Sequence, residues 1–335
     1  MTLCPAVAGG PFLSKPVTGS MSFEITILGN NSAIPAYGRH PTAQYIHIHD
    51  SAFLVDCGEG TQMQMSQYHV RRARLHHIFI SHLHGDHYFG LIGLITSMHL
   101  NKRTEKLRIF SPPGLQEIVE LQLKASDTQL GYELEFILVD THRHLLLFEN
   151  EQVRVFSIPL NHRIPTCGFL FEEKKSPRRV NAEACRLLEV PLAAYNALKS
   201  GADYTGPNGE VIANSLLTTA GSDPLRYAFC SDTLYDERII PLVAQVDLLY
   251  HESTFLEDAA SRAAETFHST ARQAATVASK AGVQRLILGH FSAKYKDTAG
   301  FRQEAASIFE AVEIAEEGTR FELRPLPVGT KKVAP

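Results

Sequence analysis

Short apolar runs, most of them followed by glycine, proline or polar turns, recur along the chain from residue 23 onward. Residues 23–28 alternate between apolar and polar side chains, as strands with one buried face do. Residues 44–49 and 52–55 predict a hairpin around residues 50 and 51. Further runs predict strands at 77–80, 107–110, 133–139, 153–158, 168–171, 225–230, 246–250 and 285–288.

Segments with helical character separate these strands. Residues 62–69, 88–100 and 112–126 predict three helices. A further helix is predicted to follow His268, because Ser269 or Thr270 can cap its start and Gly282 can end it. The alternation of strands with helices predicts an α/β fold.

Five predicted strands are followed directly by residues that can bind a metal or transfer a proton. These strands end near positions 81, 160, 230, 250 and 289. Ligands of α/β sheets bind in the crevice beyond the carboxyl ends of the strands. A single histidine placed in this way would be an ordinary surface or core residue, but five similar strand ends predict one shared site. The remaining histidines lack this placement and are predicted to be structural.

Residues 81–87 read SHLHGDH and contain four possible metal ligands in one short loop. His82 and His84 would serve one metal, and Asp86 and His87 a neighbouring one, with Gly85 allowing the backbone to turn between them. Nitrogen and oxygen ligands without cysteine suit zinc in an open catalytic site, and suit manganese or iron less well. The alternative is a histidine-rich surface loop without a metal.

Composition narrows the class of protein. A length of 335 residues predicts one large domain with an insertion, and 44% hydrophobic with 20% charged residues is typical of a soluble enzyme. No apolar run approaches the roughly 20 residues of a membrane span, so no membrane association is expected. The net charge of −4 argues against a nucleic-acid-binding surface over the whole molecule but leaves local basic patches possible.

The amino-terminal segment and the cysteines indicate a cytoplasmic protein. Residues 1–20 are rich in glycine, proline and serine and contain no arginine, which predicts a disordered tail rather than a signal or transit peptide. The folded domain is then expected over residues 21–335. Five cysteines without a CxxC pair favour reduced thiols over a disulfide framework.

Several sequence blocks carry a resemblance to a known family. VDCGEGTQ, FISHLHGDHYFGL, CSDT, HESTF, HST and LGHFSAKY occur in order between about residues 23 and 295. With them the chain resembles the ribonuclease Z family, the tRNA 3′-end endonucleases of the metallo-β-lactamase superfamily. HxHxDH alone indicates only the superfamily, whereas HESTF with HST is more specific. The resemblance implies a metallo-β-lactamase αβ/βα sandwich with an inserted protruding arm.

The resemblance also implies a site with two Zn²⁺ per subunit. It assigns seven ligands: His82, His84 and His162 to one zinc, Asp86, His87 and His290 to the other, and Asp232 between them. A water held between the two zinc ions would lose a proton. The resulting hydroxide would attack the phosphodiester and release the 3′ trailer of precursor tRNA. Asp86 would accept a proton or orient that hydroxide. His268, oriented by Glu252, would assist the leaving 3′-oxygen. Glu252 could instead be a loop acid without a catalytic role.

The segment 172–222 fits the strand–helix alternation poorly and corresponds to the tRNA-gripping arm of the family. Its candidate phosphate contacts, together with one downstream lysine, are Lys174, Lys175, Arg178, Arg179 and Lys294. The tip reads VPLAAYNAL and departs from the family pattern, which has a Gly-Pro pair there. The alternative to these contacts is a solvated loop. The family pattern further implies a homodimer.

Two other functions compete with this hypothesis. A metallo-β-lactamase-fold phosphodiesterase acting on small substrates would use the same metals. A metal-free RNA-binding scaffold would lack ligands, and none of the seven is missing.

Overall fold

The computed structural model describes residues 23–221 and 223–325, so the predicted tail at 1–20 lies outside the described residues. The first nine strands are β1 (Phe23–Gly29), β2 (Ala43–Ile48), β3 (Ser51–Val55), β4 (Leu75–Phe79), β5 (Leu107–Ser111), β6 (Leu134–Leu138), β7 (Leu146–Glu149), β8 (Val153–Pro159) and β9 (Cys167–Glu173). The helices among them are α1 (Thr61–Gln67), α2 (Gly85–Tyr88), α3 (Leu91–Leu100) and α4 (Leu115–Ala125).

After β9 come seven short elements: β10 (Arg179–Val180), α5 (Ala182–Leu187), α6 (Tyr195–Lys199), β11 (Tyr204–Thr205), β12 (Val211–Ile212), α7 (Asn214–Leu217) and β13 (Thr218–Thr219). The remaining elements are β14 (Arg226–Cys230), β15 (Leu248–Glu252), α8 (Ala260–Thr266), α9 (Ala271–Ala281), β16 (Leu286–Gly289), α10 (Ala299–Ala306), β17 (Val312–Ile314) and β18 (Arg320–Leu323).

Two seven-stranded sheets form the centre of the fold. The first has the order β18-β1-β2-β3-β4-β5-β6, and the second has the order β17-β16-β15-β14-β9-β8-β7. β3 to β6 are parallel neighbours, as are β14 to β17. β8 points in the same direction as β14, because both are antiparallel to β9. The strands that precede the candidate ligands therefore end at a common edge of each sheet.

The packing has four layers. A core of buried residues lies between the sheets and includes Phe53 and Phe79 from the first sheet with Phe169 and Phe171 from the second. A second cluster packs α1, α3 and α4 on the outer face of the first sheet. A third packs α9 and α10 on the outer face of the second sheet. This arrangement confirms the predicted αβ/βα sandwich.

The predicted helix at 88–100 is divided in two. Gly90 separates α2 from α3, and its amide donates to the carbonyl oxygen of Cys57 at 2.9 Å. A Cβ at this position would lie 2.2 Å from the carbonyl oxygen of Gly58, so only glycine permits the close approach. The break is imposed by packing against another loop, which the local pattern does not reveal.

The caps of α9 agree with the sequence. The Thr270 hydroxyl accepts a hydrogen bond from the amide of Gln273, whose side chain accepts one from the Thr270 amide. Gly282 ends the helix in the left-handed conformation, with φ 61°. Capping residues fix the start of α9 three residues after His268, which holds that histidine at the edge of the second sheet.

The described residues between β9 and β14 form a small unit with its own apolar cluster. Cys185, Val190, Leu198 and Leu217 are buried together, separately from the three clusters of the sandwich. Asn214 stabilises the unit from within, because its side-chain amide donates hydrogen bonds to the carbonyl oxygens of Leu198 and Ala202. In the described part of the chain, no helix is long and apolar enough to cross a membrane.

Candidate metal centre

The loop after β4 divides its ligands between two points. His82 and His84 face one of them, and Asp86 and His87, carried by α2, face the other. The backbone turns at Gly85 as predicted, but without a positive φ, so the backbone conformation is not what requires a glycine there. A Cβ at Gly85 would instead lie 2.1 Å from the ring of Phe89. The absence of a side chain makes room for that ring at the start of α2.

The first group consists of His82, His84, His162 and Asp232. Nδ1 of His84 lies 3.1 Å from Nε2 of His82 and 3.2 Å from Nε2 of His162. Oδ2 of Asp232 lies 3.5 Å from Nε2 of His82 and 4.0 Å from Nε2 of His162. These four atoms come from three separate loops and converge on one point, as the ligands of a tetrahedral or five-coordinate cation do.

The second group consists of Asp86, His87, His290 and Asp232. Oδ2 of Asp86 lies 3.5 Å from Nε2 of His87 and 3.4 Å from Nε2 of His290. Oδ1 of Asp232 lies 3.3 Å and 3.1 Å from the same two nitrogens. His290 has a positive φ of 61°, a backbone conformation that non-glycine residues seldom adopt outside constrained sites.

Asp232 therefore joins the two groups. One of its carboxylate oxygens faces the His82 group, and the other faces the His87 group. It follows β14, and its side chain is almost completely buried. A carboxylate in this position can bridge two cations about 3.5–4 Å apart.

The hydrogen bonds of the imidazoles test whether the site fits cations. Nδ1 of His162 donates to the carbonyl oxygen of Phe267 at 2.8 Å, and Nδ1 of His87 donates to Asp56 at 2.7 Å. Nε2 of His87 and Nε2 of His290 are buried and have no hydrogen-bond partner among the described residues. His162 and His87 thus each have Nδ1 held by the protein and Nε2 directed toward the other ligands, which is the arrangement of metal-binding histidines.

Charges within the cluster agree with this fit. Burial lowers the pKa of His82 far below its usual value and lowers the pKa of His162 to about 4, so both rings are neutral and able to bind a cation. Burial opposes the charged forms of Asp86 and Asp232. His87 nevertheless lowers the pKa of Asp86 below its ordinary range, and His290 followed by His87 does the same for Asp232. The cluster holds ionised carboxylates in a buried place that a cation would neutralise.

Asp56 supports this centre from the end of β3. Its carboxylate accepts hydrogen bonds from Nδ1 of His87 and from both the amide and the hydroxyl of Ser81. Asp56 therefore lies behind a candidate ligand and holds its outer nitrogen. Ser81 in turn contacts Nδ1 of His82 at 3.0 Å. Because the serine hydroxyl donates to Asp56, it accepts from His82 and leaves Nε2 of that ring as the ligand atom.

Glu252 and His268 lie beside the two groups. Nδ1 of His268 donates to Oε1 of Glu252 at 2.9 Å and lies 4.0 Å from Oδ2 of Asp232. Burial disfavours the charged form of His268, but the neighbouring carboxylate of Glu252 raises the pKa of the ring above its usual value. An imidazolium paired with a buried carboxylate is a suitable general acid.

The basic residues predicted to contact RNA lie apart from this centre and have different surroundings. Lys174 forms an ion pair with Glu149 at 2.6 Å. Nε of Arg178 donates to the hydroxyl of Thr218 at 2.7 Å. Lys175 and Arg179 are exposed. Lys294 lies 5.1 Å from the ring centroid of its neighbour Tyr295 and 3.8 Å from the carboxylate of Asp258.

Two hydroxyl residues with a clear place in the site were not predicted. Ser81 connects Asp56 with the His82 side of the cluster. The hydroxyl of Thr254 lies 2.8 Å from Oε2 of Glu252 and 2.8 Å from Nδ1 of His290. Both occur inside motifs that the sequence analysis singled out. A hydroxyl beside a ligand has no recognisable spacing of its own, so only the folded arrangement identifies these roles.

Comparisons with known proteins agree with the geometry. Ribonuclease Z of Porphyromonas gingivalis W83 is 45% identical over 302 residues, covering 90% of this chain and 99% of the relative. The crystal structure of human tRNase Z, short form, superposes with a TM-score of 0.64 at 26% identity, covering 89% of this chain and 98% of that one.

Two further likenesses concern the fold and the first half of the chain. The metallo-β-lactamase fold protein YhfI of Bacillus subtilis superposes with a TM-score of 0.62 at 19% identity, covering 90% of this chain and 100% of that one. At this identity the likeness concerns the fold alone, and it confirms the metallo-β-lactamase architecture. A protein-family profile described as anti-Pycsar protein Apyc1 matches residues 23–175.

Proposed function

This chain belongs to the ribonuclease Z family, and we propose on that basis that it is a metal-dependent endoribonuclease that removes the 3′ trailer from precursor tRNA. The product would be a tRNA with a 3′-hydroxyl. The observation that carries the proposal is the convergence of seven nitrogen and oxygen ligands on two points joined by Asp232. This is the donor set that hydrolysis of a phosphodiester by two metals requires.

We infer that the site takes two Zn²⁺ ions per chain. His82, His84 and His162 would hold one, Asp86, His87 and His290 the other, and Asp232 would contact both. Bound there, the cations would supply a water with a lowered pKa and would neutralise negative charge on the phosphoryl oxygens. The absence of cysteine from both groups favours zinc in a catalytic setting over a structural zinc site. Mn²⁺ and Fe²⁺ are the alternatives that this donor set also permits.

Asp86 has a second contact that fits a role in orienting the nucleophile. Its Oδ2 accepts a hydrogen bond from the amide of Ala33 at 2.7 Å while facing the two imidazoles of its group. The carboxylate is thereby held in one orientation. A fixed acceptor next to the phosphodiester would direct the lone pair of the attacking water toward phosphorus and accept its proton.

His268 is the proposed donor to the leaving 3′-oxygen. Its Nδ1 is engaged by Glu252, so the proton available for transfer is on Nε2. Glu252 receives further hydrogen bonds from the amides of Thr233, Thr254 and Ser269. These amides stabilise the ionised carboxylate in its buried position, and the carboxylate in turn keeps the imidazole protonated and oriented.

We propose that the unit within residues 172–222 is the arm that holds the body of the tRNA. Its separate apolar cluster supports an element that folds on its own core and projects from the sandwich. Lys175 and Arg179 are the exposed cations that suit phosphate contacts, with Arg178 and Lys174 beside them. Lys294 would contact RNA nearer the metal centre.

A homodimer and a cytoplasmic location complete the proposal. Large apolar side chains are exposed near the metal loop, among them Met63 on α1 and Phe89 at the end of α2. Such residues support burial against a second copy of the chain. The four cysteines in the described part of the chain are free and buried, which supports a reducing compartment.

The direct test is cleavage of a tRNA precursor that carries a 3′ trailer. Purified protein is incubated with this RNA with and without a chelator, and the cut is mapped on both fragments. A single cut at the trailer junction, a 3′-hydroxyl on the tRNA and loss of cleavage with chelator are expected. Hydrolysis of a small phosphodiester without any cut in the precursor would favour the small-substrate phosphodiesterase instead.

A further inference from the structure

A cleft lies at the end of the first sheet opposite to the metal-binding residues. Residues 71–74, which precede β4, and residues 101–105, which follow α3, line a cavity of ≈ 580 Å³. The candidate ligands follow the carboxyl end of β4, whereas this cleft lies at its amino end. α3 begins just after the metal loop and ends at the cleft, and a helix of this length spans about 15 Å.

The cleft concentrates positive charge. Its lining contains five cations, Arg71, Arg72, Arg74, Lys102 and Arg103, and one carboxylate, Glu105. Across residues 23–221 and 223–325, none of these five cations forms an ion pair with a carboxylate. The carboxylate of Glu105 accepts a hydrogen bond from its neighbour Thr104. The cleft therefore has an excess of positive charge that the protein itself does not neutralise.

Several cations elsewhere on the surface form ion pairs with carboxylates. Lys106 pairs with Glu133, Lys280 with Glu237 and Arg285 with Glu313. The chain as a whole carries a net charge of −4, so it has no shortage of carboxylates. A group of unpaired arginines in such a chain points to an anion supplied from outside.

Arg103 shows that part of the charge is fixed in place. Its guanidinium is largely buried and donates from Nε to the carbonyl oxygen of Glu105 at 2.7 Å and from Nη2 to that of Lys106 at 3.0 Å. It also lies over the ring of Tyr132, 5.5 Å from the centroid. Burial lowers the pKa of Arg103, and Tyr132 and the nearby Glu105 oppose this shift. Backbone carbonyls and a ring hold this cation in place beneath the more exposed ones.

The shape and chemistry of the cleft suit a phosphate backbone. Guanidinium groups match the geometry of phosphate oxygens, and Arg71, Arg72 and Arg74 present three of them on one short segment. Leu94 and Met98 lie beneath these charges but are almost completely buried, so the surface that the cleft offers is cationic. The phosphates of an RNA strand suit such a surface.

We propose that this cleft binds the phosphate backbone of the precursor tRNA at a point distant from the cut. The inference rests on the proposed function for the identity of the RNA. The cleft would add a positively charged RNA-binding surface on the sandwich itself, separate from the arm at 172–222. Binding at the cleft would make the affinity for RNA depend on the salt concentration, although the arginines of the cleft take no part in cleavage.

The test is the variant Arg71→Gln/Arg72→Gln/Arg74→Gln. Affinity for the trailer-bearing precursor is measured at several salt concentrations, alongside hydrolysis of a small phosphodiester and the melting temperature. The slope of log Kd against log salt should fall by about two, since each lost phosphate contact removes about 0.7–0.9. Affinity at low salt should fall about tenfold or more, with small-substrate hydrolysis and melting temperature unchanged.

A control variant with three cations removed from helices α4, α8 and α10, Lys124→Gln/Arg262→Gln/Arg302→Gln, should retain the wild-type slope. Equal slopes for the two variants would overturn the proposal. Loss of mononucleotide binding in the first variant, with precursor affinity intact, would assign the cleft to a small anion and also overturn it. The unmodified protein could bind the precursor, lose that affinity in the first variant, and yet never cut the RNA. That result would refute the proposed function and support the RNA-binding role of the cleft.

Discussion

Nδ1 of His268 donates a hydrogen bond to Oε1 of Glu252 at 2.9 Å, and both side chains are buried beside the two ligand groups. The pair links the strand β15 with the residues that precede α9. His268→Ala should lower the rate of precursor cleavage about 10²–10⁴-fold, because the leaving oxygen loses its proton donor. Zinc content measured by atomic absorption should stay near that of the wild type.

Glu252→Gln provides the matched comparison for His268→Ala. The amide keeps the size of the side chain but no longer favours the imidazolium, so the rate should fall. The alkaline limb of the pH–rate profile, where His268 loses its proton, should move to lower pH. The double variant should be little worse than His268→Ala alone, because the two residues act as one unit. Additive losses, or zinc missing from His268→Ala, would contradict the role of the pair in proton transfer.

His84 tests the first ligand group. Its Nδ1 is the atom nearest to both His82 and His162, so His84→Ala removes the centre of that group. About one zinc per chain should be lost, and cleavage should become undetectable. His69→Ala is the control, since it removes an exposed histidine that follows α1. Full activity and two zinc ions in the His84 variant would refute the ligand assignment.

Thr254 connects the proton-transfer pair with the second ligand group. Its hydroxyl donates to Oε2 of Glu252, so it can only accept from Nδ1 of His290, which leaves Nε2 of that ring as the ligand atom. Thr254→Val keeps the shape of the side chain but removes this acceptor. Zinc affinity of the second group should fall about 10–100-fold. Thr254→Ser, which keeps the hydroxyl, should retain wild-type affinity in a chelator competition; equal losses in both variants would contradict the role of the hydroxyl.

The strands and their ligands could be predicted because they depend on local pattern and on one topological rule. Apolar runs predicted β4, β14 and β16, and the carboxyl ends of parallel strands meet at one edge. Within the second sheet that rule places Asp232 and His290 at one edge. The packing of the two sheets, which a local pattern does not reveal, then sets them against the loop at 81–87.

Other features depend on contacts between distant segments and could not be predicted. The break at Gly90 depends on its packing against the turn at Cys57 and Gly58. The ion pair of Lys174 with Glu149 depends on the packing of the segment after β9 against the strand β7. A pattern confined to one segment contains no information about its partner. Sequence reasoning therefore treated Lys174 as a free cation, whereas the fold gives it a partner.

The arm proposal leads to a different salt experiment. Lys174→Gln, Lys175→Gln, Arg178→Gln and Arg179→Gln combined should raise the KM for precursor tRNA and lower the salt slope of binding by about two to three. Lys174→Gln alone should have a small effect, because its charge is already compensated by Glu149. Kinetics at several salt concentrations measure both quantities. If the salt slope of binding is unchanged in the combined variant, these four residues do not contact phosphates and belong to a solvated loop.

His77 predicts how the fold responds to acid. Its ring packs against Phe148, with centroids 4.3 Å apart, and its Nε2 is buried without a hydrogen-bond partner among the described residues. Burial, with a smaller contribution from Arg108, lowers the pKa of His77 to about 4. The unfolded chain has the ordinary value of about 6.5. Between these two values the unfolded state binds a proton that the folded state does not, so this residue reduces stability as the pH falls.

His77→Phe removes that proton-binding difference and keeps an aromatic ring between the sheets. The wild type should lose about 2 kcal/mol more unfolding free energy than the variant between about pH 7 and pH 5, measured by urea denaturation. His142→Phe is the control, because His142 is exposed and its replacement leaves the core untouched. Parallel pH dependences for wild type and His77→Phe would mean that His77 is protonated in the folded protein. The ring between Phe53 and Phe148 would then be better hydrated than its packing indicates.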